Sequence, residues 1–157
     1  KRLLDVGCGP ESRLFALGLR PVGADPNPAY IDAYRRRGAE AVLASALALP
    51  FADGRFDGVW SFTVLHHLSD AEARAAVAEM LRVCRLGGYV ALADGVLPRS
   101  PWARAPAWLT RRLDRGAFMR TEEQLLGLLP DRDRWRSERY SYSVTLLEMV
   151  HCWRIKD

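Results

Sequence analysis

Leu3-Leu4-Asp5-Val6-Gly7-Cys8-Gly9-Pro10 decides how the rest of the chain is read: an apolar run that ends in Asp-x-Gly-x-Gly. Such a run describes a buried strand delivering its backbone to a ligand. Glycine serves that turn twice over, because it reaches backbone angles other residues avoid and because, without a Cβ, it lets a ligand lie against the chain. A nucleotide-like ligand at the end of the first strand is the expectation. Gly-x-Gly by itself also fits an ordinary tight turn, so the distances to the following motifs carry the argument.

The 157 residues fit one domain, since about 100 to 200 residues per domain is usual and that length buries a sizeable core. No run approaches a membrane span and no basic-then-apolar leader opens the chain, which predicts a soluble protein. Cys8, Cys84 and Cys152 are odd in number and widely spaced, which suits neither a disulfide framework nor a zinc site; a reducing cytoplasm is the simplest setting, and no metal is expected. The net charge of +4 arises entirely from residues 99–139, which hold 10 Lys/Arg against 6 Asp/Glu. A positive patch can attract an anionic substrate or nucleic acid, whereas an arginine-rich solvated face is the plainer explanation.

Apolar strand-like runs alternate with helical patterns. Leu3 to Val6 is followed by a short helix near Arg13 to Leu17, a strand at Pro21 to Ala24 and a helix over Ala29 to Arg37. Ala41 to Leu43 and Phe56 to Phe62 are the next strands, and Asp70 to Cys84 is a helix capped by Ser69 or Asp70 with Glu72 in its first turn. Gly87-Gly88 is expected to end that helix and to turn into a strand at Tyr89 to Ala93. A helix from Thr121 closing at Pro130, and two strands between Trp135 and Ile155 meeting near Val144 to Leu146, complete the chain. Strands separated by helices predict a parallel sheet with helices on both faces.

Three further features fall at strand ends, where ligands bind in open α/β sheets. Asp25 follows the second strand, placed to accept hydrogen bonds from two ribose hydroxyls. Ser45-Ala46-Leu47-Ala48-Leu49-Pro50-Phe51 follows the third, and Phe56 to Leu68, ending in Leu65-His66-His67-Leu68, is the fourth strand with its exit. Together with Glu79 to Gly88, these segments resemble the class I S-adenosylmethionine-dependent methyltransferases, most closely the methyltransferase type 11 group that includes ubiquinone and menaquinone C-methyltransferases. The resemblance covers residues 1 to about 94 motif by motif. It implies a Rossmann-like, doubly wound, mostly parallel seven-stranded sheet with an antiparallel last strand. It also implies S-adenosyl-L-methionine as cofactor, with Asp5, Gly7, Cys8 and Gly9 along its methionine part and Asp25 with Pro26 at the ribose. Ser45, Ala46 and Leu47 would lie along the adenine, and Ser61, Phe62 and His66 would close the pocket near the sulfonium.

The chain departs from the group's pattern at Glu11, where a third glycine is usual, at a shortened first helix, and at Ser45, where an acidic residue is common. It also starts at the first strand, without the N-terminal helices that cover the cofactor in many relatives, so either the chain is truncated there or another element, with residues 97–119 as the candidate, supplies the lid. In that stretch Trp102, Ala105, Leu109 and Leu113 form a helical stripe with arginines around it; an apolar wall of Trp102, Trp108, Phe118 and Met119 would suit a hydrophobic acceptor carrying an anionic group, and a packing helix with snorkelling arginines is the alternative.

Methyl transfer is an in-line displacement that mainly needs alignment and exclusion of water. A base helps where the nucleophile is a hydroxyl or an acidic carbon, and His66 is the candidate, with a structural pair at the loop-helix junction as the alternative. Asn27-Pro28-Ala29-Tyr30 is similar to the Asn-Pro-Pro-Tyr signature of amino methyltransferases but follows the wrong strand, and reads as the turn into the second helix. The expected function is methylation of oxygen or carbon in a small molecule. A non-catalytic binding or scaffold protein is the alternative that Glu11 and Ser45 suggest; RNA methylation guided by the basic segment ranks below it, and a nucleic-acid partner is not expected.

Overall fold

The computed structural model describes residues 1–99, 117–142 and 147–157, with the side chains of 141, 142 and 147 set aside. The strands are β1 (Leu3–Val6), β2 (Val22–Asp25), β3 (Ala41–Leu43), β4 (Phe56–Phe62), β5 (Cys84–Val96), β6 (Arg136–Tyr142) and β7 (Leu147–Ile155). The α-helices are α1 (Pro28–Arg36), α2 (Asp70–Val83) and α3 (Glu122–Leu126). The sheet runs β3-β2-β1-β4-β5-β7-β6. The pairs from β3 to β5 are parallel, and β7 is antiparallel to both neighbours. The order reverses between β1 and β4, so the carboxyl ends of these strands open the crevice where ligands bind in such sheets.

Alternation along the strands sorts the two faces. Leu4 and Val6 of β1, Val22 and Ala24 of β2, and Val59 of β4 pack with Ala73, Ala76, Val77, Met80 and Val83 of α2, all nearly or fully buried. Leu125, Leu126, Leu128, Leu129 and Trp135 extend the same core. On the opposite face Ile31 and Tyr34 of α1 pack with Cys8 and Ala41. Gly23 permits this packing, since a Cβ there would crowd both the Cys8 sulfur and the Tyr34 ring. The Tyr34 hydroxyl donates to Pro21 O at 3.1 Å.

The helix starts follow side-chain capping. Ser69 and Glu72 form a reciprocal capping box at α2, and Thr121 and Gln124 do the same at α3. Asn27 caps α1 with Pro28 in its first turn, which is the turn role expected for Asn27-Pro28. The fifth strand, expected over Tyr89 to Ala93, runs from Cys84 to Val96, and two helix ends also differ from expectation. Helix α2 ends at Val83, and Cys84 already pairs with Phe56 in the sheet; Gly87-Gly88 instead forms an irregularity within β5, where a Cβ on Gly88 would meet the Arg85 and Asp57 carbonyls. Helix α3 stops at Leu126, before Pro130, because Leu128 and Leu129 turn inward through i→i+3 bonds to Leu125 and Leu126 that bury both side chains. The first helix is a single 3₁₀ segment, Arg13–Leu17, closed by Gly18 in the left-handed conformation. Most of the 97–119 stretch, including Trp102, Ala105, Trp108, Leu109 and Leu113, lies outside the described residues, as do residues 143–146, where the last two strands were expected to meet.

Candidate functional site

The turn after β1 is built on two left-handed glycines, Gly7 at φ 70° and Gly9 at φ 59°. The Gly7 and Cys8 amides both donate to Ala24 O, at 2.7 and 3.2 Å, which folds the turn against the end of β2. A Cβ on Gly9 would have no neighbour within 4 Å. That glycine therefore faces open space, the cradle a ligand would need.

Asp25 ties this turn to the next. Its carboxylate accepts from Gly9 N at 3.0 Å and from Asn27 N at 2.9 Å, and its carbonyl accepts from Ala44 N at 3.1 Å. The carboxylate thus joins the ends of β1 and β2, and the backbone of the same residue holds the exit of β3. A carboxylate offers about four lone-pair sites, so two remain for hydroxyl donors. Asp5, further down β1 and only 3 % exposed, is pushed up to about 7, chiefly by burial; a bond from Ser12 opposes this and the charge of Asp25 adds to it.

The fourth-strand exit closes the other side. Val64 packs onto Gly7, in the space a Cβ there would occupy, so the turn carrying Leu65–His67 is seated against the glycine turn. Arg13 reaches over the Phe62 ring at 4.0 Å. Ser61 is buried at the end of β4 next to Val6, its partner across the ladder. His66 is buried, with Nδ1 2.6 Å from Asp94 Oδ1, two residues before the end of β5. Asp94 also accepts from His66 N at 3.2 Å and from Gly95 N at 2.7 Å.

Of the residues expected at the site, the fold brings together Asp5, Gly7, Gly9, Asp25, Ser61, Phe62 and His66. Ser45, Ala46 and Leu47 form the β3 exit, where Ser45 Oγ accepts from Leu47 N at 3.2 Å, and Pro26 is an exposed residue beside Asp25. The Cys8 side chain does not face the site: it packs beneath α1 against Gly23, and burial with the nearby Asp5 and Asp25 charges raises its thiol to about 12. Its contribution is confined to the backbone. Glu11 is satisfied by Arg37 at 2.8 Å. His151 packs between Trp60 and Trp153, and burial lowers its pKa.

Two residues were not singled out from the sequence. Asp94 follows an apolar run in the sequence, the same signal that marked Asp25, although β5 continues through it to Val96. Arg120 is buried and donates to Leu65 O at 2.7 Å and Leu68 O at 2.6 Å while pairing with Asp70, and Phe118 N donates to His66 O at 3.0 Å. Segment 118–120 therefore grips the carbonyls of the His66 turn.

The family model described as "Methyltransferase domain" matches residues 4–92. The tRNA (carboxymethyluridine(34)-5-O)-methyltransferase alkbh8 of Xenopus tropicalis is 40% identical over 86 residues, covering 54% of this chain and 14% of that protein. The demethylmenaquinone methyltransferase of Roseiflexus sp. (strain RS-1) is 38% identical over 117 residues, 68% of this chain and 48% of its own length. This chain thus spans less than half of either relative. Among solved structures, an S-adenosylmethionine-dependent methyltransferase from Thermotoga maritima, described as a possible histamine N-methyltransferase, superposes with a TM-score of 0.78 at 19% identity, covering 99% of this chain and 82% of that one.

Proposed function

The chain belongs to the methyltransferase domain family, with S-adenosylmethionine as its methyl donor, and we propose that it methylates an oxygen or an acidic carbon of a small-molecule acceptor. The observation that carries the cofactor site is the Gly9–Asp25 junction: a carboxylate fixed by two backbone amides beside a glycine that opens onto free space. The residues present fit the cofactor. Asp25 has acceptor capacity left for the ribose, Gly7 and Gly9 offer backbone without Cβ to the methionine part, and Ser45 to Leu47 border the adenine side. Glu11 carries its charge into an ion pair with Arg37 and so repels an incoming carboxylate less than a lone Glu would. When bound, S-adenosylmethionine supplies an electrophilic methyl group on a sulfonium.

The small-molecule reading is supported by the extent of the matches. A match over 68% of the chain is longer than the stretch from Lys1 to the end of β5 and reaches past it, whereas one of 54% fits within that stretch. The longer match is to a protein whose name gives demethylmenaquinone as acceptor. A second reading, transfer to RNA, draws on the 40% identity to a tRNA methyltransferase and on the basic excess of residues 99–139.

Calorimetry with S-adenosylhomocysteine tests the cofactor site: the expected result is saturable binding that weakens at least tenfold in Asp25→Asn. Incubation with radiolabelled S-adenosylmethionine and a cell extract then separates the two acceptors. Label is expected in a small-molecule product separated from the unreacted donor by chromatography; label retained on RNA, and lost on ribonuclease treatment, would replace the first reading by the second.

A further inference from the structure

We infer that His66 and Asp94 form a proton-accepting dyad, with Asp94 as its positioning residue, and that the acceptor therefore carries a proton to lose: a hydroxyl or an acidic carbon rather than a carboxylate. The inference rests on the methyltransferase reading above and narrows its substrate class.

The geometry fixes the imidazole. Asp94 accepts from two backbone amides, His66 N and Gly95 N, so its oxygens act as acceptors, and the third contact at 2.6 Å places the ring proton on Nδ1. In that tautomer Nε2, on the far side of the ring from Asp94, keeps its lone pair. Both groups are nearly sealed, His66 at 5 % and Asp94 at 2 % exposure, so their bond is not diluted by solvent. The turn bearing the ring is fixed independently, by Val64 against Gly7 and by Phe118 and Arg120 on its carbonyls. Among the described residues the other ionisable groups nearby are His67, whose ring lies 4.0 Å from that of His66, the Arg120–Asp70 pair behind the turn, and Cys152, which feels the charge of Asp94.

A preset base is useful only where a proton must leave. With a hydroxyl acceptor, an oxygen lone pair forms the new O–C bond as the C–S bond breaks and sulfur keeps that electron pair. The hydroxyl proton passes to Nε2, and the resulting imidazolium keeps its Nδ1–H on the Asp94 carboxylate until the proton is released to water. A carboxylate acceptor is already ionised near neutral pH and needs no such step.

Nitrogen-15 histidine spectra of the ligand-free protein above neutral pH read the tautomer without any turnover. The expected result is His66 as the Nδ1–H form, shifting toward a mixture of tautomers in Asp94→Asn. Transfer from S-adenosylmethionine is then compared for caffeate, which has O–H groups, and cinnamate, which has only the carboxylate. Methylation of caffeate alone is expected. In Asp94→Asn its kcat should fall by about 100-fold or more, with S-adenosylhomocysteine affinity within twofold of wild type and the acidic limb of the pH profile displaced. His66→Gln, which keeps a polar amide facing Asp94, should lose a similar factor, guarding against an Asp94 variant that fails to fold. An unchanged tautomer in Asp94→Asn, an equal loss at every pH, transfer to cinnamate alone or transfer to neither compound would each overturn the inference. Failure of the wild type to bind S-adenosylhomocysteine would instead remove the reading beneath it, and the tautomer measurement separates the two failures.

Discussion

Gly7 and Val64 fill one another's space: Val64 Cγ2 sits where a Cβ on Gly7 would be, so the β1 turn and the β4 exit meet only because residue 7 has no side chain. Gly9, two residues on, shares the left-handed backbone but faces nothing within 4 Å. The same substitution should therefore read differently at the two positions. Gly7→Ala combines backbone strain with overpacking and should cost about 2–4 kcal/mol of stability by urea denaturation. Gly9→Ala should cost only about 1–2 kcal/mol, the strain alone, while weakening S-adenosylhomocysteine in calorimetry by more than tenfold, because its methyl enters the cradle. Equal stability losses with unaltered binding in Gly9→Ala would show that the space above Gly9 is not used.

Asp5 makes stability depend on pH in an unusual direction for an aspartate. Its carboxyl is raised by burial from 3.8 to about 7, so the folded chain holds a proton that the unfolded chain has released. The stabilisation is complete below about pH 4 and is lost as pH rises through about 7. At about 1.4 kcal/mol per pKa unit the upper bound is about 4 kcal/mol. Asp5→Asn, a neutral near-isostere, should lack this decline. Its stability relative to wild type should climb between pH 4 and pH 8 in parallel denaturation series; a difference independent of pH would place the titration elsewhere.

Arg120 links the chain beyond β5 to the His66 turn by donating to two carbonyls that otherwise face a buried region. Arg120→Met keeps much of the side-chain bulk but leaves Leu68 O without this donor and Leu65 O with the Leu68 amide alone, with an expected cost of about 1–3 kcal/mol. The loss should be local as well as global. Amide exchange at His67 and Leu68, whose N–H groups close the turn on Val64 O and Leu65 O, should accelerate more than exchange in β1 or β2.

The glycine turn after β1, its junction with β2 and the start of α2 were legible because their signals are local. Leu3 to Gly9 combines a buried strand with glycines that a left-handed turn requires, Asp25 ends the next strand, and Ser69 with Glu72 writes a helix start into four residues. Asp94 and Arg120 were not legible, since their roles depend on contacts 28 and 55 residues away in sequence, and a single charged residue at a strand end or before a helix carries no mark of its partner. The α2 boundary was misplaced for a related reason. Gly87-Gly88 has the composition of a helix stop, but pairing of Cys84 with Phe56 across the sheet ends the helix first. The direction of the Cys8 side chain was not legible either, because the packing of Tyr34 over Gly23 decides which way that sulfur points.

Thr63 holds φ at 56°, a conformation that β-branched residues rarely adopt, at the hinge between β4 and the turn that carries His66. Its amide donates to Ala93 O of β5 at 2.8 Å and its hydroxyl to the preceding carbonyl, Phe62 O, at 2.7 Å, and these bonds hold it there against a cost of about 1–3 kcal/mol. Thr63→Gly removes the strain but also the hydroxyl bond and the stiffness of the branched side chain. The net expectation is a gain of about 1 kcal/mol, or about 2–4 °C in Tm for a domain of this size. If the strain serves to aim the turn, the more stable variant should be the looser one at this point. Exchange at the His67 and Leu68 amides should rise while Tm rises, and the His66 tautomer should become mixed although Asp94 is intact. A variant that gains stability with the His66 signal unchanged would show that Thr63 is a tolerated strain with no part in holding the ring.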